Sequence, residues 1–510
     1  MRKRAKDVRS IEAWIREIPM NYEILYKTTA LAAMICLTGC TTGPDFKRPV
    51  APAVEGYLST PLAAHTANAL ESPRVLEGGW RNPHWWQEFA SPKLDNLIDD
   101  ALHRSPTLAG SLATLRQAQE LYAAQTGSTR YPQVAANAGI QRQRSSSSAS
   151  GMADDSREFS LYNAGVGVKY NLDLAGGNRR AAEALLARAD YQQYQVDGAR
   201  LTLIGNIVTS AITQARLSEQ IQTTETILRI QEEQLGLTRE KIRLGQAAPD
   251  DVLAMQTLVE QTRAGIPLLR NQLQQNNHLL AVLAGRAPGE KELPSFALDE
   301  FTLPNDLPLI VPSDLVRVRS DIQAAEALLH AANAEYGVAI ANLYPQINLS
   351  ADLGSQALTT GALFGGNSMV WSLVGQLTQP LFNPGLPAKK RATLAAFDAA
   401  AANYQTVVLE SLREVADVLR ALENDSQRLT ALSAADLAAQ KLLDSMRRRY
   451  DLGATSYFEL LTVEQQSQQT KIDLIEVQAQ RFVNCAAFYQ AMGAGGNATA
   501  AVPFIGVSAE

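Results

Sequence analysis

Residues 239–256 read REKIRLGQAAPDDVLAMQ, and residues 447–464 read RRRYDLGATSYFELLTVE. The stretch from Arg239 to Gly285 aligns without a gap with the stretch from Arg447 to Gly493, so that Gly245 falls on Gly453 and Gly285 on Gly493. Upstream, Tyr131-Pro132-Gln133 returns as Tyr344-Pro345-Gln346, each after an Ala-rich helical pattern and before an alternating one. The chain is a tandem duplication of roughly 200 residues per copy, and its fold has to be one plan used twice.

Each copy reads helix, strand, strand, long helix, short turn, helix. Repeat 1 spans 93–290, with strands at about 132–144 and 159–174, a long helix at 178–244 and a return helix at 250–284. Repeat 2 spans 312–493, with strands at about 345–357 and 368–382, a long helix at 388–452 and a return helix at 454–492. A linker at 291–311 joins them, and 494–510 reads as a flexible tail. From Ala388 to Leu452 neither Gly nor Pro occurs over 65 residues, and Val408, Leu412, Val415, Leu419, Leu422 and Leu429 recur at helical spacing. A helix of that length runs about 100 Å. The helices before the strand pairs, Pro106 to Arg130 and Pro312 to Leu343, supply about the length by which each return helix falls short.

The strands rest on period-two alternation. Ile347, Leu349, Ala351 and Leu353 interleave with Gln346, Asn348, Ser350 and Asp352, and Tyr162 to Leu172 follow the same rule. Segments of about ten residues suit tilted transmembrane strands, and Tyr131, Phe159, Tyr344, Trp371 and Phe382 stand near their ends, where interfacial aromatics belong. A soluble hairpin pair with one wet face reads equally well from the strands alone. If the segments do span lipid, four strands cannot close, and open edges are not tolerated there. Three chains give about twelve strands, the first count that leaves an open lumen. The expected fold is a mixed α+β membrane protein: a homotrimer whose 12-stranded transmembrane β-barrel, four strands per chain, continues into a long α-helical barrel.

The N-terminus reads as an address. Residues Thr28 to Gly39 form a short apolar run behind Lys27, too short to span a bilayer, and end in Leu37-Thr38-Gly39-Cys40. This resembles the lipobox of bacterial lipoproteins and implies acylation of Cys40 after removal of 1–39; Met20 would give a conventional signal, so the true start is expected there. Residues 40–92 are then an extended segment carrying the lipid anchor, stable because several acyl chains act together.

Composition excludes rivals. Lys+Arg 46 against Asp+Glu 52 leaves a net charge of -6 with no basic patch, which argues against nucleic acid. Cys36, Cys40 and Cys485 build neither a disulfide framework nor a metal knuckle, and the five histidines show no ligand spacing. Ser145 to Ser148 reads as a surface loop, and Gly165-Val166-Gly167 lacks the third glycine of a dinucleotide fingerprint. No enzyme, metal site or cofactor is expected. A coiled-coil scaffold would explain the heptads but neither the alternations nor the lipobox.

The Cys40 anchor followed by Gly43-Pro44-Asp45-Phe46-Lys47-Arg48-Pro49, the Trp85-Trp86-Gln87-Glu88-Phe89 segment before Leu94 and Leu97, and the duplicated plan resemble the TolC-like outer membrane factors, in their lipoprotein (NodT-type) branch. The resemblance implies an exit duct in the Gram-negative outer membrane, reaching into the periplasm and docked on an adaptor protein and an inner-membrane transporter of the resistance-nodulation-division type. It conducts small molecules such as drugs. A duct for type I protein secretion is the alternative within the family. The resemblance places the adaptor-contacting tips at Leu244, Gly245 and Gln246 and at Leu452, Gly453, Ala454 and Thr455. It places the periplasmic constriction at Asp251 and Glu459, with the Tyr450 hydroxyl linked to Asp251 in the closed state; a second acid found in some members is Thr462 here.

Overall fold

The computed structural model describes residues 42–54, 56–60, 74–77, 82–145, 157–246, 248–290, 293–304 and 306–494. The leader, Cys40, Ser146 to Ser148 and the tail beyond Ala494 lie outside the described residues. In chain order the elements are β1 (Arg74–Glu77), a 3₁₀ turn (Trp85–Phe89), α1 (Pro92–Arg104), α2 (Pro106–Arg130), β2 (Gln133–Ser145), β3 (Arg157–Leu172), α3 (Gly177–Arg243) and α4 (Pro249–Leu283). There follow β4 (Asp306–Leu309), α5 (Pro312–Leu315), α6 (Ser320–Ala341), β5 (Gln346–Ala357), β6 (Met369–Thr378), α7 (Gly385–Asp451) and α8 (Tyr457–Ala491). The chain divides into two compact units, one made of the described parts of Met1–Phe46, Leu121–Leu185 and His330–Phe397, the other of the remainder.

The first unit is built on an antiparallel sheet in the order β2-β3-β5-β6. Its register sorts the side chains by chemistry. One row across the four strands reads Ala136, Val166, Leu353, Trp371 and another reads Val134, Val168, Ala351, Leu373. On the opposite face the rows read Ala135, Gly167, Asp352, Ser372 and Gln133, Lys169, Ser350, Val374. One face is apolar and the other mostly polar, interrupted by Val370 and Val374. The apolar face is bare: Trp371 and Leu373 are each 74% exposed, and Ile140 is exposed as well. Within the described residues β2 and β6 each pair along one edge only.

The segment Thr42 to Phe46 straps this unit. The Thr42 amide donates to the Ala175 carbonyl at 3.1 Å, just past the end of β3. The buried Arg180 guanidinium joins Asp45 at 2.6 Å to Glu183 at 2.8 Å, and Phe46 stacks on His330 at 4.4 Å. Gly43 has to be small, because a Cβ there would stand 2.9 Å from Gly337 Cα.

The second unit holds the main apolar core. Trp85, Trp86 and Phe89, all buried, meet Ile204, Ile207 and Ile212 of α3 and Phe482, Phe488 and Tyr489 of α8 in one cluster, with the Trp85 and Tyr489 rings stacked at 5.3 Å. The stretches expected to be an extended segment and a linker are both structured there: β1 pairs in parallel with β4, and the Thr302 amide donates to the Phe89 carbonyl at 3.0 Å. A second, smaller cluster lies toward the helix turns and comprises Leu235, Met255, Leu258, Val259, Tyr457, Leu460 and Leu461. Polar side chains are buried along the same helices, including Gln231, Ser467, Thr470 and Glu464; Glu464 accepts from Gln234 at 3.2 Å and pairs with Arg447 at 3.0 Å.

Four element boundaries differ from expectation by three residues or more. The helix expected over 312–343 is broken into α5 and α6. At the break the buried Arg319 guanidinium donates to the Ala491 carbonyl at 3.0 Å and pairs with Glu414 at 2.7 Å, a long-range capture that holds residues 316–319 in turns. The strand expected to reach 382 ends at Thr378, because Pro380 and Pro384 lack the N–H a ladder needs. The long helix begins at Gly385, not Ala388, since Pro387 is tolerated in a first turn where its missing donor would be unpaired anyway. The return helix begins at Tyr457, not Ala454, behind Ser456 as its cap.

Candidate functional site

Both long helices end on a glycine in the left-handed region, Gly245 at φ +73 and Gly453 at φ +71. The closing bonds match in the two repeats: Gly245 N to Ile242 O at 2.9 Å and Gln246 N to Lys241 O at 2.8 Å, against Gly453 N to Tyr450 O at 2.9 Å and Ala454 N to Arg449 O at 2.8 Å. These pairs satisfy the last helix carbonyls while the chain reverses, and only glycine takes that backbone without a Cβ penalty. The turns are exposed, with Leu244 at 58% and Leu452 at 84%. Phe458, on the first turn of α8, is also exposed, an apolar tip residue that reading the sequence did not single out.

The two acids beyond the turns occupy equivalent third positions of their helices. Glu459 accepts from the Ser456 amide at 3.0 Å and from the Thr455 hydroxyl, while the Ser456 hydroxyl accepts from the Glu459 amide at 3.3 Å. These donors, Thr455 first, hold the Glu459 carboxyl below the usual range. Asp251 accepts from the Ala248 amide at 3.1 Å; Ala248 has no side-chain acceptor, so this box is one-sided. The Ser-x-x-Glu spacing of Ser456 and Glu459 is the sequence signal for such a cap.

Tyr450 is engaged through its ring. Among the described residues its hydroxyl is not hydrogen-bonded to Asp251. Its ring packs at 5.2 Å on Tyr457, and Lys241 Nζ stands 4.3 Å from its centroid. Burial pushes the Tyr457 phenol up to about 12. Cys485 is fully buried beside Ala486, and burial raises its thiol to about 12, so it is a packing residue and not a reactive one. The described residues include no group of three or more His, Cys, Asp or Glu side chains suited to a metal ion.

A glycine turn, a capping acid and a pair of strands thus occur twice over in one chain, the two strand pairs sharing one sheet. The profile of the family described as outer membrane efflux protein matches residues 97–286 and again 311–494. The chain belongs to the outer membrane efflux protein family. It is 26% identical over 483 residues to the cation efflux system protein CusC of Escherichia coli, covering 92% of this chain and 98% of that one. It is 30% identical over 469 residues to the toluene efflux pump outer membrane protein TtgC of Pseudomonas putida, covering 91% and 94%. Among solved structures it superposes on the outer-membrane channel OprN with a TM-score of 0.81 at 26% identity, covering 89% of this chain and 99% of that chain. The open state of the Neisseria gonorrhoeae outer membrane channel MtrE gives 0.77 at 27% identity, covering 89% and 98%. As an outer membrane efflux protein, this chain forms the exit duct of a tripartite pump, with a helical part and a strand-built part in one polypeptide.

Proposed function

We propose that three copies close into one pore, the β6 edge of each pairing with the β2 edge of the next to give a 12-stranded barrel. The single observation that carries this is the sheet: four antiparallel strands, an exposed apolar face, a mostly polar face, and two edges left to pair. Lipid does not tolerate unpaired edges, and four strands do not encircle water. The apolar face meets lipid, the polar face lines the pore, and α3, α4, α7 and α8 extend the wall into the periplasm. The exposed tips, Leu244 to Gln246 and Leu452 to Thr455, with Phe458 beside them, dock on an adaptor whose partner is an inner-membrane transporter of the resistance-nodulation-division type. Cys40 is acylated and anchors the chain, only two residues before Thr42 is fixed at the end of β3. The cargo is small molecules; relatives of similar identity are named for a cation and for toluene, which supports selection by the pump and not by the duct.

The constriction forms at Asp251 and Glu459, which first serve their own helix starts. Opening is a rearrangement of tip packing driven by the partner, without any covalent step. The purified protein should migrate as a trimer and conduct in planar bilayers; strictly monomeric, non-conducting material overturns the reading. Asp251→Ala with Glu459→Ala should raise single-channel conductance, whereas Tyr450→Phe alone should not, since its ring contacts remain. Cys40→Ser should abolish acyl labelling, and persistent labelling removes the anchor.

A further inference from the structure

The polar face of the sheet is unusually bare of side chains at one level. Gly165 and Gly354 are direct partners, and a Cβ on either would stand 2.8 or 2.6 Å from a backbone oxygen of the neighbouring strand. Over Gly139 lies the side-chain oxygen of Asn163, 2.7 Å from where a Cβ would be. Over Gly167 lies Asp352 Oδ1, 2.6 Å from where a Cβ would be, and Ser372 Oγ donates to Asp352 Oδ2 at 3.1 Å. The carboxylate is therefore folded down onto the wall. A cavity of about 380 Å³ results, floored by Gly165 and Gly354 and edged by Asn137, Asn163, Asp352 and Gln356. One row closer to the helices, Lys169 stands opposite Ser350 on the same face.

We propose that Asp352 is the cation-attracting residue of the strand-lined pore, drawing protonated amines and other cationic groups into the glycine-floored level, with Lys169 opposing it one row below. This rests on the reading that the polar face lines the pore. A fixed charge in a water-filled channel with low-dielectric walls acts on every passing ion, and three copies would form a ring. Lying flat, the carboxylate attracts charge without narrowing the path. The empty floor leaves room for a hydrated group beside it.

The test is a cysteine reporter at Val370, on the same face and diagonal to Asp352. In the full-length protein in proteoliposomes, Val370→Cys is treated with methanethiosulfonates of equal size and opposite charge, and the ratio of the cationic to the anionic rate is read. Asp352→Asn should lower that ratio by about four- to thirtyfold, because one unit charge at roughly 4 to 10 Å in water changes each rate about two- to sixfold and moves the cationic and anionic rates in opposite directions. Asp352→Glu should restore it, and Lys169→Gln should raise it. A ratio that neither Asp352→Asn nor Lys169→Gln moves overturns the proposal. Failure of Val370→Cys to react with either reagent overturns instead the pore-lining reading beneath it, and this proposal with it.

Discussion

At the start of α8 the Ser456 hydroxyl and the Glu459 carboxylate exchange bonds with each other's amides, and Thr455 adds a third. The same acid that the resemblance assigns to a constriction is thus fully employed in starting a helix. Ser456→Ala should cost about 1 kcal/mol, read as a lower thermal midpoint and faster amide exchange in the first turn of α8. The pH dependence has a definite sign. Because the folded Glu459 carboxyl is held low by these bonds, its contribution is complete above the unfolded glutamate range and is lost as pH falls through the folded value. Protection of the α8 first turn should therefore weaken on the acid side of about pH 4, and Glu459→Gln should flatten that dependence. Exchange that is insensitive to acid in the unmodified protein would contradict the cap.

At the scale of elements, the sheet and the 3₁₀ turn make opposite demands. The row Ala136, Val166, Leu353, Trp371 carries no polar side chain other than the indole N–H and stands exposed, as the lipid-facing wall proposed above requires. Trp371→Arg should destabilise the inserted protein by about 2 to 4 kcal/mol if it sits near the midplane, and less toward an interface. Urea unfolding from liposomes would measure it, and a neutral result would place that face in water. The 3₁₀ turn instead inserts Trp85, which is 0% exposed, against Tyr489. Trp85→Ala should cost about 3 to 5 kcal/mol, seen as a fall in unfolding midpoint. The repeats correspond at this scale: the interruption at Ser105 before α2 falls on the interruption at Arg319 before α6, and each helix then runs unbroken toward its strand pair.

For the whole molecule, closure is the central prediction. Cysteines scanned in pairs along β2 and β6 should give one set of positions that oxidises to a ladder ending at the trimer. Samples that remain monomeric for every pair would exclude ring closure through these edges. The helical part is joined by side chains from helix to helix. α3 is bonded to α4 through Gln214 and Asn277 and to α8 through Arg216 and Glu476, and α8 to α7 through Asn484 and Asp425. Toward the turns α4 also meets α8 in the small apolar cluster, and Lys241 of α3 stands over the ring of Tyr450 of α7, so the four helices pack as one group there.

Duplication, the two long helices, the glycine turns and the alternation of the strands were all legible in the chain, because periodicity and backbone-restricted residues are local properties that no tertiary contact has to supply. Tertiary structure alone decided the pairing of β3 with β5, the break before α6, the contacts of Tyr450 and the folding of Asp352 onto Gly167. Each of these depends on residues far apart in sequence, brought together by packing and by the need of buried charges and strand edges for a partner. A pattern along one chain records which face a side chain takes, but not what stands opposite it.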